Sequence, residues 1–219
     1  MKIAAFETST EWCSVALWLD GEIAGMEERA GNRHGELALP ALERLAAAAG
    51  IRVAALDAVA FGAGPGSFTG LRIACGVAQG IAFARDLPVL GVSTLMALAE
   101  ESGAARVIAC LDARMHEVYY SALEKSGGRW REVVAAQCVA PAAVQAPAGG
   151  GWAGCGSGFD VYGSLGLGMV IPDIHPSAIA VARLAAPRLE SGEGVDAALA
   201  APVYVRDRVA FTTEERKAR

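Results

Sequence analysis

One stretch restricts what this chain can fold into more than any other: Gly62-Ala63-Gly64-Pro65-Gly66-Ser67-Phe68-Thr69-Gly70-Leu71-Arg72, with the apolar runs on either side of it. Before it, Ala58-Val59-Ala60-Phe61 reads as a short buried strand. After it, Ile73 to Ala84 reads as a helix whose only strongly polar side chain is Gln79. The glycines admit backbone angles that side chains forbid, and Pro65 fixes one φ. Ser67 or Thr69 can accept hydrogen bonds from the first free N–H groups of the helix. The stretch is therefore strand, tight turn and capped helix. Two uses of the turn stay open. It is either a packing turn without a ligand, or an anion cradle at a helix N-terminus that draws on Gly64, Gly66, Ser67, Thr69 and Arg72. A phosphate-cradling P-loop is excluded, because no Lys-Ser/Thr pair follows the last glycine.

A helix lying on one face of a sheet needs a polar side for water, and residues 73–84 offer almost none. Gly70, Ala74, Ala78 and Ala82 form a small-residue row at i, i+4 spacing that permits close approach. Gly76 and Gly80 each cost roughly 1 kcal/mol against Ala in a helix interior, which tight packing on both sides would explain. The run is too short for a membrane span, which needs about 20 apolar residues.

The chain has 219 residues, 53% of them hydrophobic and 20% charged, so there is ample core material for one large or two small domains. Met1-Lys2 leads straight into a strand, with no charged n-region and longer apolar h-region, and a cytoplasmic location without membrane contact is expected. Cys13, Cys75, Cys110, Cys138 and Cys155 are odd in number and scattered, which fits reduced thiols and argues against a zinc site. The net charge of −5 makes the chain a poor independent binder of phosphate backbones.

In order, strands are expected at Ile3 to Phe6, Cys13 to Leu19 and Glu22 to Arg29, with a hairpin at Asp20-Gly21. A helix follows over about Gly35 to Ala49, ended by Gly50, with Pro40 early enough to be tolerated. Its Leu37, Leu39, Leu42 and Leu45 spread round the helix surface. The Gly-rich unit comes next, then a strand over Pro88 to Val92 and a helix capped by Ser93. This βββαβαβα order extends an antiparallel hairpin sheet with parallel strands. The second half begins the same way. Val107 to Asp112 is an apolar strand ending in a carboxylate, Ala113 to His116 turn, and Glu117 to Leu123 return. Setting Glu7 over Asp112 superposes the two strands as an internal repeat. Trp130 to Val139 reads as a further strand. Beyond it the pattern predicts a helix near 141–146, strands near 152–155 and 168–171, a helix from Ser177 to Glu190, a last strand over Val203 to Val205, and a frayed Thr212 to Arg219. The division is 1–103 for a first lobe and 104–219 for a smaller second one.

Glu7 and Asp112 each end a first strand at a turn, where a carboxylate either caps the turn or orients a metal or phosphate. His34, His116 and His175 are far apart and never at i, i+4, so no helix face carries a metal pair. Ser67 and Ser157 lack the G-x-S-x-G form of a hydrolase nucleophile. Arg72 and Arg114 can meet an anion or sit in solvent-facing ion pairs.

Together these residues resemble a known family. Ala5-Phe6-Glu7-Thr8-Ser9-Thr10 with Cys13-Ser14-Val15-Ala16-Leu17, Gly64 to Arg72, Gly91-Val92-Ser93-Thr94-Leu95, Asp112-Ala113-Arg114 and Pro202-Val203-Tyr204-Val205-Arg206 are similar to TsaB, the accessory subunit family of bacterial tRNA threonylcarbamoyladenosine synthesis. The resemblance is close over residues 1–123 and loose from there to about 200. It implies an α/β, two-lobed actin/Hsp70/sugar-kinase-like (ASKHA) fold. It implies a scaffold with no catalytic residues and no metal of its own. Such a scaffold holds the catalytic relative TsaD, with the ATPase TsaE joining them. ATP, ADP and metal then belong to the partner subunits, tRNA is reached only through the complex, and the chain alone forms a homodimer. The expected partner interface is Leu37, Leu39, Pro40, Leu71, Ala74, Val77, Ala78 and Ile81. The family usually has Asp where Glu7 stands, and the longer side chain alters any phosphate geometry there. A small-molecule kinase of the same fold stays open as an alternative, as does a metallopeptidase of the M22-like kind, a label attached to relatives of TsaD. The short second half and the absence of paired His ligands speak against them.

Overall fold

The computed structural model describes residues 1–206; the charged stretch from Thr212 to Arg219 lies outside the described residues. Strands β1 (Lys2–Glu7), β2 (Trp12–Leu19) and β3 (Glu22–Arg29) form an antiparallel meander. Its first hairpin turns at Asp20 and Gly21, both with positive φ, as an Asp-Gly hairpin requires. Helix α1 (His34–Ala48) crosses to β4 (Ala58–Gly64), and α2 (Phe68–Phe83) crosses to β5 (Val89–Ser93). The sheet order is β3-β2-β1-β4-β5, with β1, β4 and β5 parallel.

Both faces of this sheet are covered, which is why its central strands read as unbroken apolar runs. Ala4, Phe6, Val59 and Phe61 face α1 and α2. Ile3, Ala5, Ala58 and Ala60 face the opposite way, toward a helix from the other end of the chain. Fully burying an aromatic side chain such as Phe6 or Phe61 contributes about 1.5–3 kcal/mol.

The second half repeats the plan. Strands β6 (Arg106–Asp112), β7 (Val118–Ser126), β8 (Arg129–Val139), β9 (Ala153–Cys155) and β10 (Val170–Ile171) stand in the order β8-β7-β6-β9-β10. β6 pairs antiparallel with β7 and parallel with β9, as β1 does with β2 and β4. The Glu7–Asp112 repeat is therefore a repeat of strand topology. The crossovers differ. Where the first lobe has α1, the second has one turn of 3-10 helix at Pro141–Ala143, not the helix expected near 141–146. Pro141, Pro147 and Gly149 to Gly151 leave too short a run to nucleate an α-helix. The counterpart of α2 is α4 (Ser157–Tyr162), a short helix absent from the expected pattern.

The two last helices exchange partners. α3 (Thr94–Glu101) follows β5, yet Leu95, Leu98 and Ala99 pack with Val107, Ala109 and Leu111 of the second sheet. α5 (Ala178–Glu190) follows β10, yet it packs on β1, β2 and β4 of the first sheet. α3 and α5 also touch each other, so the lobes are joined where they cross. This is the two-lobed α/β ASKHA class. No strand forms at Val203 to Val205; that segment is a strap held to β4 by one backbone hydrogen bond, from Val203 N–H to Ala63 O.

Candidate functional site

A cleft of about 1110 Å³ opens between the lobes. One wall is the β1–β2 turn, the Gly-rich turn and the starts of α1 and α2; the other carries Asp112, Arg114, Tyr119 and α4. The Gly-rich turn is shut from within. Ser67 N–H donates to Ser9 O at 2.7 Å, and Thr8 Oγ1 donates to Gly70 O at 2.7 Å. A Cβ on Gly70 would land on the Thr8 carbonyl, and one on Gly66 would come within 2.5 Å of Ser9 Cβ. Ser67 caps α2, accepting from Gly70 N–H at 3.4 Å. Gly66 and Gly70 thus admit a neighbouring turn, and Ser67 serves the helix; Gly64 leans on Val203 O. The arrangement is that of the packing turn. Thr69 is exposed at the cleft, and Arg72 is engaged by Tyr204 Oη at 3.1 Å and lies 3.8 Å over the Phe68 ring.

Glu7 does not reach the cleft. It is 1% exposed, with Oε1 accepting from Ser9 N–H at 2.7 Å and Oε2 accepting from Thr94 Oγ1 at 3.3 Å. The missing side chain of Gly62 makes room for its carboxylate. Burial pushes its pKa up, against the hydrogen bonds from Ser9, Thr94 and Thr8 that pull it down. Of the two readings open for Glu7, turn capping and anion or metal orientation, the geometry is that of the first, because protein encloses the carboxylate. Its counterpart Asp112 lies at the cleft. Its carboxylate accepts from Arg114 N–H at 3.0 Å and pairs with Arg114 Nη1 at 3.2 Å. The Arg114 side chain is otherwise open to water.

The histidines stay apart. His34 is buried at the start of α1, and burial pushes its pKa down. His116 sits in the β6–β7 turn, and His175 stacks on Trp12 at 4.5 Å, within 2.9 Å of Glu27 Oε2. Among the described residues no three His, Cys, Asp or Glu side chains come together as a metal site would need. The thiols are free, and burial pushes Cys13 up to about 11 and Cys110 and Cys155 up to about 12, which leaves them unreactive.

The expected partner interface divides. Leu71, Ala74 and Ala78 lie in the core, at 0–1% exposure, which corrects their placement on a surface: the small-residue row faces the sheet. Val77 and Ile81 are half-buried at the edge of that core, with Leu37 of α1 beside them in the same cluster. Leu39 and Pro40 are exposed, on a side of α1 that also carries Glu36, Glu43 and Arg44. The outer side of α2 is different. Ile73, Val77 and Ile81 run along it beside Gly76 and Gly80, and nothing lies within 4 Å of a Cβ added at either glycine. Tight packing on both sides is thus not what holds these glycines; their outer side is open. Ile73, Gly76 and Gly80 were missing from the expected interface, although the apolar run already contained them.

Residues 26–155 match the family model described as TsaD, tRNA N6-adenosine threonylcarbamoyltransferase. The Escherichia coli tRNA threonylcarbamoyladenosine biosynthesis protein TsaB is 37% identical, the match covering 96% of this chain and 97% of that one. The chain belongs to the TsaB family. The Haemophilus influenzae TsaB is 41% identical over 64% of this chain and 65% of its own length. Among solved structures, a Pseudomonas aeruginosa protein described as uncharacterized with similarity to peptidase YEAZ superposes with a TM-score of 0.88 at 40% identity, covering 94% of this chain and 99% of that one. Among the described residues no helix is long and apolar enough to cross a membrane.

Proposed function

We propose that this chain takes part in tRNA threonylcarbamoyladenosine biosynthesis as a non-catalytic accessory subunit, holding a TsaD-type catalytic subunit on the outer side of α2. The observation that carries this reading is the stripe along the outer side of α2, where the half-buried Ile73, Val77 and Ile81 flank the open positions Gly76 and Gly80. A helix that exposes glycines loses about 1 kcal/mol at each against Ala and gains nothing within its own chain. A partner helix can approach such a backbone closely, and burying the flanking side chains is favourable at roughly 25 cal/mol per Å² before association costs. Leu37, Leu39 and Pro40 extend the surface onto α1. In this reading TsaE joins the pair, and ATP, ADP and metal belong to the partner subunits. The acidic chain, with net charge −5, meets tRNA only through the complex, in the cytoplasm. The same stripe pairs two copies when the partner is absent. The enclosed Glu7 supports the accessory reading over a kinase of the same fold, because its carboxylate is not free to orient a phosphate.

The test is a charge on the stripe. Gly76→Arg adds a side chain into open space, so circular dichroism should be unchanged; Val77→Arg touches the core edge and serves as the second variant. Each should weaken capture of purified TsaD at least 100-fold and shift the isolated chain toward monomer in sedimentation. A folded Gly76→Arg chain that binds TsaD as tightly as the parent places the interface elsewhere.

A further inference from the structure

The Pro202-Val203-Tyr204-Val205-Arg206 motif has no part in the α2 stripe, yet it touches both lobes. Its approach runs along α2. Gln79 Nε2 donates to the carbonyls of Ala197 and Ala200 at 3.2 and 3.0 Å, and Cys75 Sγ lies 3.5 Å from Ala200 O. Val203 N–H then donates to Ala63 O at 2.7 Å, and Val203 O sits within 2.6 Å of where a Gly64 Cβ would be. Tyr204 packs against Phe68 as a tilted pair with ring centres 5.5 Å apart, and its hydroxyl takes the Arg72 Nε–H. Two residues on, Arg206 is in the other lobe. Its Nη2 donates to Glu117 Oε2 at 2.5 Å and lies 3.4 Å from Arg114 O, with the guanidinium 5.7 Å from the Tyr119 ring centre.

The receiving turn is an unusual one. Arg114, Met115 and His116 are consecutive non-glycine residues at φ of 61, 56 and 60°, a region that such residues seldom occupy even singly. A segment of this kind persists only where its surroundings over-determine it. Asp112 takes the Arg114 N–H, Glu117 N–H donates to Arg114 O at 3.0 Å, and Ala113 N–H donates to Glu117 O at 2.9 Å. Arg206 contacts the same turn at both of its ends, and its side chain is only 13% exposed. The opposite rim of the cleft is bridged by His175 on Trp12 and Glu27.

We propose that Pro202–Arg206 is a latch: anchored on α2 and the Gly-rich turn, it holds the β6–β7 turn through Arg206–Glu117 and so sets the opening of the cleft. The latch is a property of the isolated chain and needs no partner. Its test is amide hydrogen exchange on the full-length protein, for the parent, Arg206→Ala, Glu117→Gln and the double variant. Each single change should speed exchange about tenfold in residues 113–119 and in 64–72, where the two cleft walls meet the strap. The double variant should stay within twofold of either single one, since both remove the same contact. Distances between labels on Asn32 and Asp160, introduced as non-canonical amino acids on facing walls, should lengthen and broaden in Arg206→Ala. Unchanged exchange at both turns overturns the proposal, as does an unchanged distance. So does faster exchange spread evenly over β1, β6 and α5, which would report lost overall stability and not an opened cleft.

Discussion

The two lobes share a strand plan and differ in what is laid over it. Both place their first strand at the centre, antiparallel to the second and parallel to the fourth. The first lobe spends 15 and 16 residues on α1 and α2, whereas the second uses a 3-10 turn and the six residues of α4 at the same two crossovers. The first-strand carboxylates differ too: Glu7 is sealed inside, while Asp112 sits at the cleft. The sheet is thus the repeated unit, and the crossovers are where the halves specialise. The lobe with long crossovers has a helix with a free outer side; the lobe with short ones has a turn for the strap to hold.

The largest expected effect separates the glycines that start the two equivalent helices. At Gly70 an added Cβ meets the backbone carbonyl of Thr8, which cannot yield without moving the β1–β2 turn; at Gly158 it meets the Cys110 thiol, a side chain. Gly70→Ala should cost about 3 kcal/mol or more, and Gly158→Ala about 1–2 kcal/mol. Urea unfolding of both variants measures this, and equal costs would mean that the two turns are equally fixed.

The carboxylates give the next contrast. The buried Glu7 has a raised pKa, so the folded chain holds that proton more tightly than the unfolded chain does. Its contribution to stability is complete below the unfolded value of about 4.5 and is lost as pH rises through the folded value, with a slope of up to about 1.4 kcal/mol per pH unit. Glu7→Gln should remove that slope and raise the denaturation midpoint at pH 7 relative to the parent. Asp112→Asn, which loosens an ion pair whose Arg114 end is open to water and leaves an amide oxygen to take the Arg114 N–H, should change stability by no more than about 1 kcal/mol. A midpoint for Glu7→Gln that falls at pH 7 would show that the charged form is favoured inside.

The smallest effect lies on the α2 stripe. Gly76→Ala and Gly80→Ala fill open positions of a helix and should each stabilise the isolated chain by about 1 kcal/mol, a rise of roughly 2–4 °C in Tm. The same changes should weaken capture of TsaD, so stability and binding move in opposite directions. If both rise together, the glycines serve no partner.

Much of this molecule was legible in its residues because the signals were local. Short apolar runs bounded by turns marked the central strands, Asp20-Gly21 marked the hairpin, and Ser67, Ser93 and Ser177 cap the helices that follow them. The repeat was visible because two apolar strands each end in a carboxylate. Short elements escaped: α4 is too brief to show a period, and Pro141 with the glycines that follow it left one turn where a helix was expected.

By itself the sequence determined the family, the strand plan and the capped helix after the Gly-rich turn, all set by interactions between residues close in the chain. Tertiary structure alone decided which side of α2 is free. An apolar run all round a helix carries no period to orient it, and packing with Ala4, Phe6 and Phe61 turned Ala74 and Ala78 inward, with Leu71 buried beside Gly64. It also decided that Glu7 is enclosed, that α5 covers the first sheet, and that Arg206 reaches Glu117 in the other lobe. The last three depend on hydrogen bonds between residues 87, 164 and 89 positions apart, and no local pattern records such a contact.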